Sequence, residues 1–332
     1  MGESYPDFTP VNLITGFLGS GKTTLLGRML RQPELARAAV LINEFGDVGL
    51  DHHLLETIDD NIVLLQSGCL CCTIRGDLSA ALRSLHSKRS RGEIPAFDRV
   101  LIESTGLADP YPILSTIRSD PVLCHHLRCG SVIVTVDAVN GPGQLDHHPE
   151  SVKQAAIADR LVITKTDLCE EHQTAALAAR LHALNPVAPI LQAADASFDV
   201  GDLARLEEAH GALEDHNHDH HGHLDERIRS FVVTVERPID WTAFGVWLTM
   251  LLNRHGDKVL RVKGILNVLG EPNPVAVHGV QRLVHTPVHM SAWPDGDRQS
   301  RIVFIVQDLD PALIRRSLAA FNRISEPSIA LG

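Results

Sequence analysis

An excess of positive charge, a membrane-length apolar run and the cysteine spacing of a disulfide framework are all lacking in this sequence of 332 residues. The formal charge is −11 and the sequence pI about 5.9. That balance excludes nucleic acid or an anionic membrane as the main partner, because both demand a basic face. The longest apolar stretch, 243–252, is broken by Thr249 and falls short of the ~20 residues of a spanning helix. Met1 to Pro10 holds neither a basic n-region nor an apolar h-region, so no signal peptide is expected and the cytoplasm is the expected location. No internal repeat is visible.

Six cysteines are present, but Cys69, Cys71 and Cys72 crowd into four positions. That spacing is too tight for a disulfide framework and suits metal or thiol chemistry. Cys124, Cys129 and Cys169 are scattered and read as small buried apolar side chains. Nineteen histidines are the oddest part of the composition, and five of them fall within residues 215–223. Such a run cannot pack a core and reads as a solvated linker between domains.

Before that run, short apolar segments alternate with helical ones. Val11 to Thr15, Ala38 to Ile42, Ile62 to Leu65, Arg99 to Ile102, Ser131 to Val136 and Leu161 to Ile163 are strand candidates. Helices are expected from Thr23, over Leu78 to Lys88 and over Gln173 to Leu184. Continuous rather than alternating apolar runs suit strands covered on both faces, which predicts an α/β fold with a mostly parallel, doubly wound sheet. After the linker, Arg229 to Val235 alternates, a helix carries Phe244, Trp247, Leu248 and Leu251, and strands are expected at 259–269, 275–284 and 301–306 before a helix at 311–320. The expected organisation is a nucleotide-binding domain over 1–210, a His-rich linker over 211–227 and a smaller α+β domain over 228–332.

Gly16-Phe17-Leu18-Gly19-Ser20-Gly21-Lys22-Thr23 fits the phosphate-loop pattern G-x-x-x-x-G-K-[ST] at every fixed position, between an apolar strand and a helix that continues at Thr24. Glycines let backbone N–H groups converge on phosphate oxygens, and the helix N-terminus adds its positive dipole end. Lys22 is expected on the β- and γ-phosphates and the Thr23 hydroxyl on Mg²⁺. Glu103 ends the apolar run Val100 to Ile102 and is the expected second anchor of the Mg²⁺ shell, with Asp137 as its rival. In Ser104-Thr105-Gly106, the Gly106 N–H is expected near the γ-phosphate. Thr164-Lys165-Thr166-Asp167 fits [NT]-K-x-D, in which the carboxylate accepts from the guanine N1–H and amine while the Lys stem lies along the base. Thr164 stands where Asn is commoner and forfeits an amide that braces the loop.

Gly68-Cys69-Leu70-Cys71-Cys72 falls between the phosphate loop and Glu103. Two or three thiolates suit Zn²⁺ or a similar borderline-soft ion such as Co²⁺, and a helix start nearby favours their ionisation. Glu44, in Asn43-Glu44-Phe45-Gly46, is a further candidate ligand.

In this order, G-F-L-G-S-G-K-T-T, N-E-F-G, G-C-x-C-C, E-S-T-G and T-K-x-D resemble the CobW family, GTPases of the metallochaperone and cobalamin-biosynthesis type. Arg261-Val262-Lys263-Gly264-Ile265 is similar to that family's C-terminal domain, so the likeness spans nearly the whole chain. The resemblance implies GTP, Mg²⁺ and Zn²⁺ (with Co²⁺ as an alternative ion) as cofactors. It implies a metal held by Cys69, Cys71 and Cys72 with Glu44, bound more tightly with Mg²⁺–GTP and released after hydrolysis to a client metalloprotein. The expected partners are GTP and GDP, the metal ion and that client, in a monomer or a homo-oligomer. Other readings are a nucleotide-switch GTPase with structural cysteines, a cobalt or nitrile-hydratase-type maturation factor, and a small-molecule kinase. The kinase is disfavoured by a base-selecting element it does not need. No Gln or Arg for activating the attacking water stands out in the sequence. The His-rich run is a candidate metal collector, while the pairs His52/His53, His125/His126 and His147/His148 read as surface or capping residues.

Overall fold

The continuous apolar runs ahead of the His-rich stretch become strands buried on both faces. A computed structural model describes residues 8–42, 63–66, 74–195, 198–203, 227–294 and 296–324. They fall into two units, one of residues 1–182 with 188–209 and one of 183–187 with 210–332. The expected linker, 211–227, lies outside the described residues except for Arg227.

In the first unit the strands are β1 (Thr9–Gly16), β2 (Ala38–Ile42), β3 (Val63–Gln66), β4 (Arg99–Glu103), β5 (Leu127–Asp137), β6 (Arg160–Thr164) and β7 (Ile190–Gln192). The helices are α1 (Lys22–Met29), α2 (Ile74–Ser90), α3 (Pro110–Ser119), α4 (Gly141–His147), α5 (Pro149–Ile157) and α6 (Glu171–Leu184). The described strands form one seven-stranded sheet in the order β3-β2-β4-β1-β5-β6-β7, and every pairing is parallel. Ile14, Val40, Leu101, Ile133 and Val162 pack on one face with Leu25, Leu26 and Met29 of α1. The alternate residues Leu13, Leu41, Val100, Ile102 and Ile163 are buried as well, so both faces are covered, as the unbroken apolar runs require. Registers Ile14↔Glu103, Gly16↔Thr135 and Asp137↔Thr164 bring the carboxyl ends of the four central strands to one edge. In an open parallel sheet that edge is where ligands bind.

The second unit carries β8 (Ile228–Val235), α7 (Trp241–His255), β9 (Val259–Leu266), β10 (Val275–Val280), β11 (Leu283–Val284), β12 (Val288–His289), β13 (Ser300–Gln307) and α8 (Pro311–Ile324). Its sheet runs β11-β10-β9-β13-β8 with β12 on β10, all antiparallel. Alternation along β8 and β13 places Phe231 and Phe304 on one face, ring centroids 5.6 Å apart. Trp247 of α7 meets Phe304 edge-on at 6.2 Å, and its indole N–H donates to Ser317 Oγ of α8 at 3.0 Å. The two helices thus cover one face, giving the α+β layer the alternation predicted.

Three expected segments differ in detail. The expected strand 275–284 is a hairpin, because Gln281 takes a left-handed backbone (φ 51°) between β10 and β11. Neither Gly nor Asn marks that turn in the sequence. The strand expected to reach 269 ends at Leu266, and Val268 instead bridges Ile239. The strand expected at 131–136 extends over Leu127–Asp137, since Leu127 and Cys129 pair with Thr9 and Val11 across the sheet.

Candidate nucleotide-binding site

β1 is the central strand, and the loop that leaves it is shaped by backbone sterics. At Gly16 (φ 141°) a Cβ would overlap the carbonyl and hydroxyl of Thr135 on β5, so the chain turns directly over the neighbouring strand. Gly19 (φ 72°) and Gly21 (φ 89°) are left-handed, a region that glycine enters without steric cost. Gly21 caps α1 without any side-chain hydrogen bond, so the first-turn N–H groups of α1 face the loop. A helix start left open in this way is an anion site. Lys22 is buried, and its Nζ donates to Phe17 O at 3.3 Å, across the loop. Thr24 is exposed in the first turn of α1.

Five buried hydroxyls tie this loop to the other motifs. Ser20 Oγ and Thr135 Oγ1 lie 2.6 Å apart, and Thr135 Oγ1 donates to Thr15 O at 3.3 Å. Ser104 Oγ, just past β4, donates to Thr15 Oγ1 at 2.7 Å. Thr164 Oγ1, at the end of β6, donates to Ser20 O at 2.7 Å. Each such bond contributes about 1 kcal/mol net, and each leaves a costlier orphan if one partner is removed. The brace that an Asn at position 164 would supply is therefore supplied by the threonine hydroxyl, and the forfeited amide is replaced.

Thr23 Oγ1 donates to Glu103 Oε1 at 2.6 Å, and Glu103 is fully buried at the end of β4. A hydroxyl and a carboxylate side by side at a phosphate loop are hard oxygen donors of the kind Mg²⁺ takes together with phosphate oxygens, and the pair fits that ion. Asp137, the rival, is committed elsewhere. Its Oδ1 accepts from the Val139 and Asn140 N–H groups and its Oδ2 from Asn140 Nδ2 and Lys165 Nζ, the last at 2.7 Å. Burial works to raise the Asp137 carboxyl, but the Lys165 ammonium, the Asn140 amide and the two N–H groups outweigh it, holding it below the usual carboxylate range. Lys165 sits at φ 56°, a left-handed start to the short turn Thr166–Leu168, which leaves Asp167 exposed.

Gly106 is buried against the phosphate loop: a Cβ on it would stand 2.6 Å from Leu18 N and 2.8 Å from Leu18 Cα. Its carbonyl, with that of Ala108, is held by Gln154 of α5 at 3.1 Å each. Sequence reasoning did not single out Gln154, because the contact spans 48 positions and no motif marks it. Ser104, Thr135 and Asp137 in its bracing role were missed for the same reason.

Glu44, Cys69, Cys71 and Cys72 lie outside the described residues, as do His52, His53 and the histidines of 215–223. The strands that lead to the first group are described: β2 and β3 end side by side, with Ile42 paired to Gln66. Among the described residues no group of three or more His, Cys, Asp or Glu is arranged to hold a metal ion. Cys129 donates to Leu114 O at 3.5 Å and burial pushes its thiol up to about 12, which keeps it protonated. His125, His126, His147 and His148 are exposed, the rings of His126 and His148 resting on His86 and Phe17. Among the described residues no helix is long and apolar enough to cross a membrane.

Comparison with known proteins matches residues 10–192 to the CobW/HypB/UreG nucleotide-binding domain. Residues 228–322 match the cobalamin synthesis protein cobW C-terminal domain. The chain is 36% identical over 318 residues to zinc chaperone YjiA of Escherichia coli, covering 94% of this chain and 98% of that protein. It is 27% identical over 366 residues to zinc-regulated GTPase metalloprotein activator 1 of Saccharomyces cerevisiae, covering 93% and 82%. A crystal structure of the Zn(II)-bound YjiA GTPase from E. coli superposes with a TM-score of 0.69 at 31% identity, covering 95% of this chain and 99% of that one.

Proposed function

The chain belongs to the CobW/HypB/UreG family, and from that premise we propose that it is a cytoplasmic GTP-hydrolysing metallochaperone. It carries Zn²⁺ on Cys69, Cys71, Cys72 and Glu44 and yields it to a client metalloprotein after hydrolysis. The observation that carries this reading is the Thr23–Glu103 contact, a pair of hard ligands at the open start of α1 beneath a complete phosphate loop.

In this reading the N–H groups of Gly19, Ser20, Gly21, Lys22, Thr23 and Thr24 and the Lys22 ammonium take the phosphates. Thr23 and Glu103 would hold Mg²⁺, whose charge would offset that developing on the transferred phosphoryl oxygens. Water attacks the γ-phosphorus, the bond to the bridging oxygen breaks, and GDP leaves with phosphate. Gly106, which leaves no room for a Cβ against Leu18, offers its N–H to the γ-phosphate in this reading. Asp167 accepts from the guanine edge and Lys165 lies along the base, its amine steadied by Asp137. Thr164 ties this loop to Ser20.

Coupling to the metal follows from chain topology. Glu44 comes two residues after β2 and Cys69 three after β3, and these strands end paired at the same edge as Gly16 and Glu103. A γ-phosphate at that edge biases both segments together, and its loss releases them. A carrier that shifts its metal occupancy from 99:1 to 1:99 between nucleotide states needs affinities differing by about 10⁴. The deciding experiment is a competition titration of Zn²⁺, Co²⁺, Fe²⁺ and Ni²⁺ with and without a non-hydrolysable GTP analogue, beside turnover of GTP and ATP. Zinc affinity rising with the analogue, and GTP turned over in preference to ATP, are the expected outcomes. An affinity indifferent to nucleotide rejects the coupling, and equal turnover rejects the guanine assignment.

A further inference from the structure

We infer that Gln154 is a positioning residue for GTP hydrolysis, holding Gly106 and Ala108 so that the loop after Glu103 discriminates GTP from GDP. The inference rests on the GTPase reading of the Gly16–Thr23 loop.

Gln154 lies on α5, outside every nucleotide motif, and is 1% exposed. Both of its partners are carbonyls, Gly106 O and Ala108 O at 3.1 Å each, so the amide NH₂ must be the end that faces them. Its Oε1 is buried with no hydrogen-bond partner among the described residues. A buried amide that spends both donors on one loop and leaves its acceptor unused is poorly explained by stability alone, because interiors avoid such orphans. The neighbouring residue reinforces the grip: Lys153 Nζ pairs with Asp109 Oδ2 at 2.5 Å, and Asp109 in turn caps α3 through Tyr111 N–H. At the start of the same helix, the His148 ring rests on Phe17 at 4.5 Å between centroids. One short helix therefore touches both the phosphate loop and the loop that carries Gly106.

Gly106 has no side chain to hold it, and the Leu18 backbone leaves no room for a Cβ there. The Gly106 N–H shares its peptide plane with Thr105 O, which accepts from the Ala108 N–H at 3.1 Å. By holding the carbonyls of Gly106 and Ala108, Gln154 therefore fixes this turn and with it the direction of that N–H. Only GTP presents a γ-phosphate for that N–H; GDP relies on the phosphate loop alone. Loss of the grip should therefore penalise GTP and its turnover and spare GDP.

The test uses the full chain with Gln154→Met, which keeps the length of the side chain without its donors, and Gln154→Glu. For Gln154→Met the expected result is a fall of about tenfold in kcat and in affinity for a non-hydrolysable GTP analogue, with GDP affinity within about twofold. A carboxylate at this position repels two carbonyls, whereas a protonated carboxyl donates to one of them. Turnover by Gln154→Glu relative to wild type should accordingly rise between about pH 8 and pH 6. Three outcomes overturn the inference: unchanged kinetics in both variants, equal losses for GTP and GDP, or a Gln154→Glu defect flat across pH. Wild-type protein that does not hydrolyse GTP overturns the GTPase reading and this inference together, which separates the two failures.

Discussion

Replacing Asp120 should loosen the mooring of α2, the helix whose first residue follows Cys72 by two positions. Asp120 sits just past α3 at 7% exposure. Its Oδ1 accepts from the N–H groups of Val122 and Leu123 at 2.9 and 3.0 Å, and its Oδ2 accepts from Ser79 Oγ and from Arg83 Nη2, the latter at 2.9 Å. Burial alone would raise this carboxyl; the bonds from Ser79, Arg83 and the two N–H groups overcome it and hold the group well below the usual carboxylate range. In Asp120→Ala the Leu123 N–H, on a fully buried residue, loses its acceptor at a cost of about 1–3 kcal/mol. Arg83 is 44% exposed, so its ion pair adds under about 1 kcal/mol after screening. Val122 and Ser79 are partly solvated and recover bonds to water. The sum is about 1–4 kcal/mol, or roughly 2–16 °C in the melting temperature of a unit this size. Asp120→Asn keeps the Oδ1 acceptor for the two N–H groups and loses the charge and the Oδ2 acceptor of Ser79 and Arg83, so it should cost less than the alanine. Because the folded carboxyl is depressed, its stabilisation is complete above the unfolded value near 3.9 and is lost as pH falls through the folded value. The gap between wild type and Asp120→Asn should narrow below about pH 4. Thermal unfolding by circular dichroism across a pH series measures both effects. A melting temperature for Asp120→Ala within 1 °C of wild type, taking ~2–4 °C per kcal/mol as the yardstick, would refute the reasoning.

Thr164→Val keeps the shape of the side chain but leaves Ser20 O without its hydroxyl donor, at about 1–3 kcal/mol. Since both nucleotides use the phosphate loop, GDP and GTP affinities measured with fluorescent analogues should fall by the same factor, and Thr164→Asn should recover most of the loss. Glu103→Gln retains an acceptor for Thr23 and removes the charge on the proposed Mg²⁺ site. GTP turnover should drop about a hundredfold and need more Mg²⁺ for half-maximal rate; an unchanged Mg²⁺ dependence in a hydrolysis assay would move the metal off Glu103.

The layer architecture was legible because its cause is local. Runs such as Val100 to Ile102 and Leu161 to Ile163 are apolar without alternation, and only a strand covered on both faces tolerates that. Alternation in Arg229 to Val235 carried the opposite message for the second unit just as directly. Turn positions were harder. Gln281 and Asp308 adopt positive φ although neither is glycine, so the hairpin at Gln281 passed for continuous strand. Helices α3, α4 and α5 each carry proline in the first turn, with Asp109 as an added cap on α3, and are too short for a clear period to mark them in the sequence.

The site divides along the same line. Residues whose role depends on chain-local backbone geometry, such as Gly16, Gly19, Gly21 and Lys22, announce themselves by spacing. Residues whose role depends on a partner far along the chain do not: Ser20 meets Thr135 across 115 positions and Thr164 meets Ser20 across 144. Asp137 shows why the difference matters for mechanism. From sequence it competes with Glu103 as an acidic strand end, since both follow apolar runs. The sheet register decides their neighbours, pairing Glu103 with Ile14 beside the phosphate loop and Asp137 with Thr164 beside the base loop. Glu103 thereby meets Thr23, and Asp137 meets Lys165. Two carboxylates of the same kind are sorted between Thr23 of the Gly16–Thr23 loop and Lys165 of the turn after β6 by strand order alone.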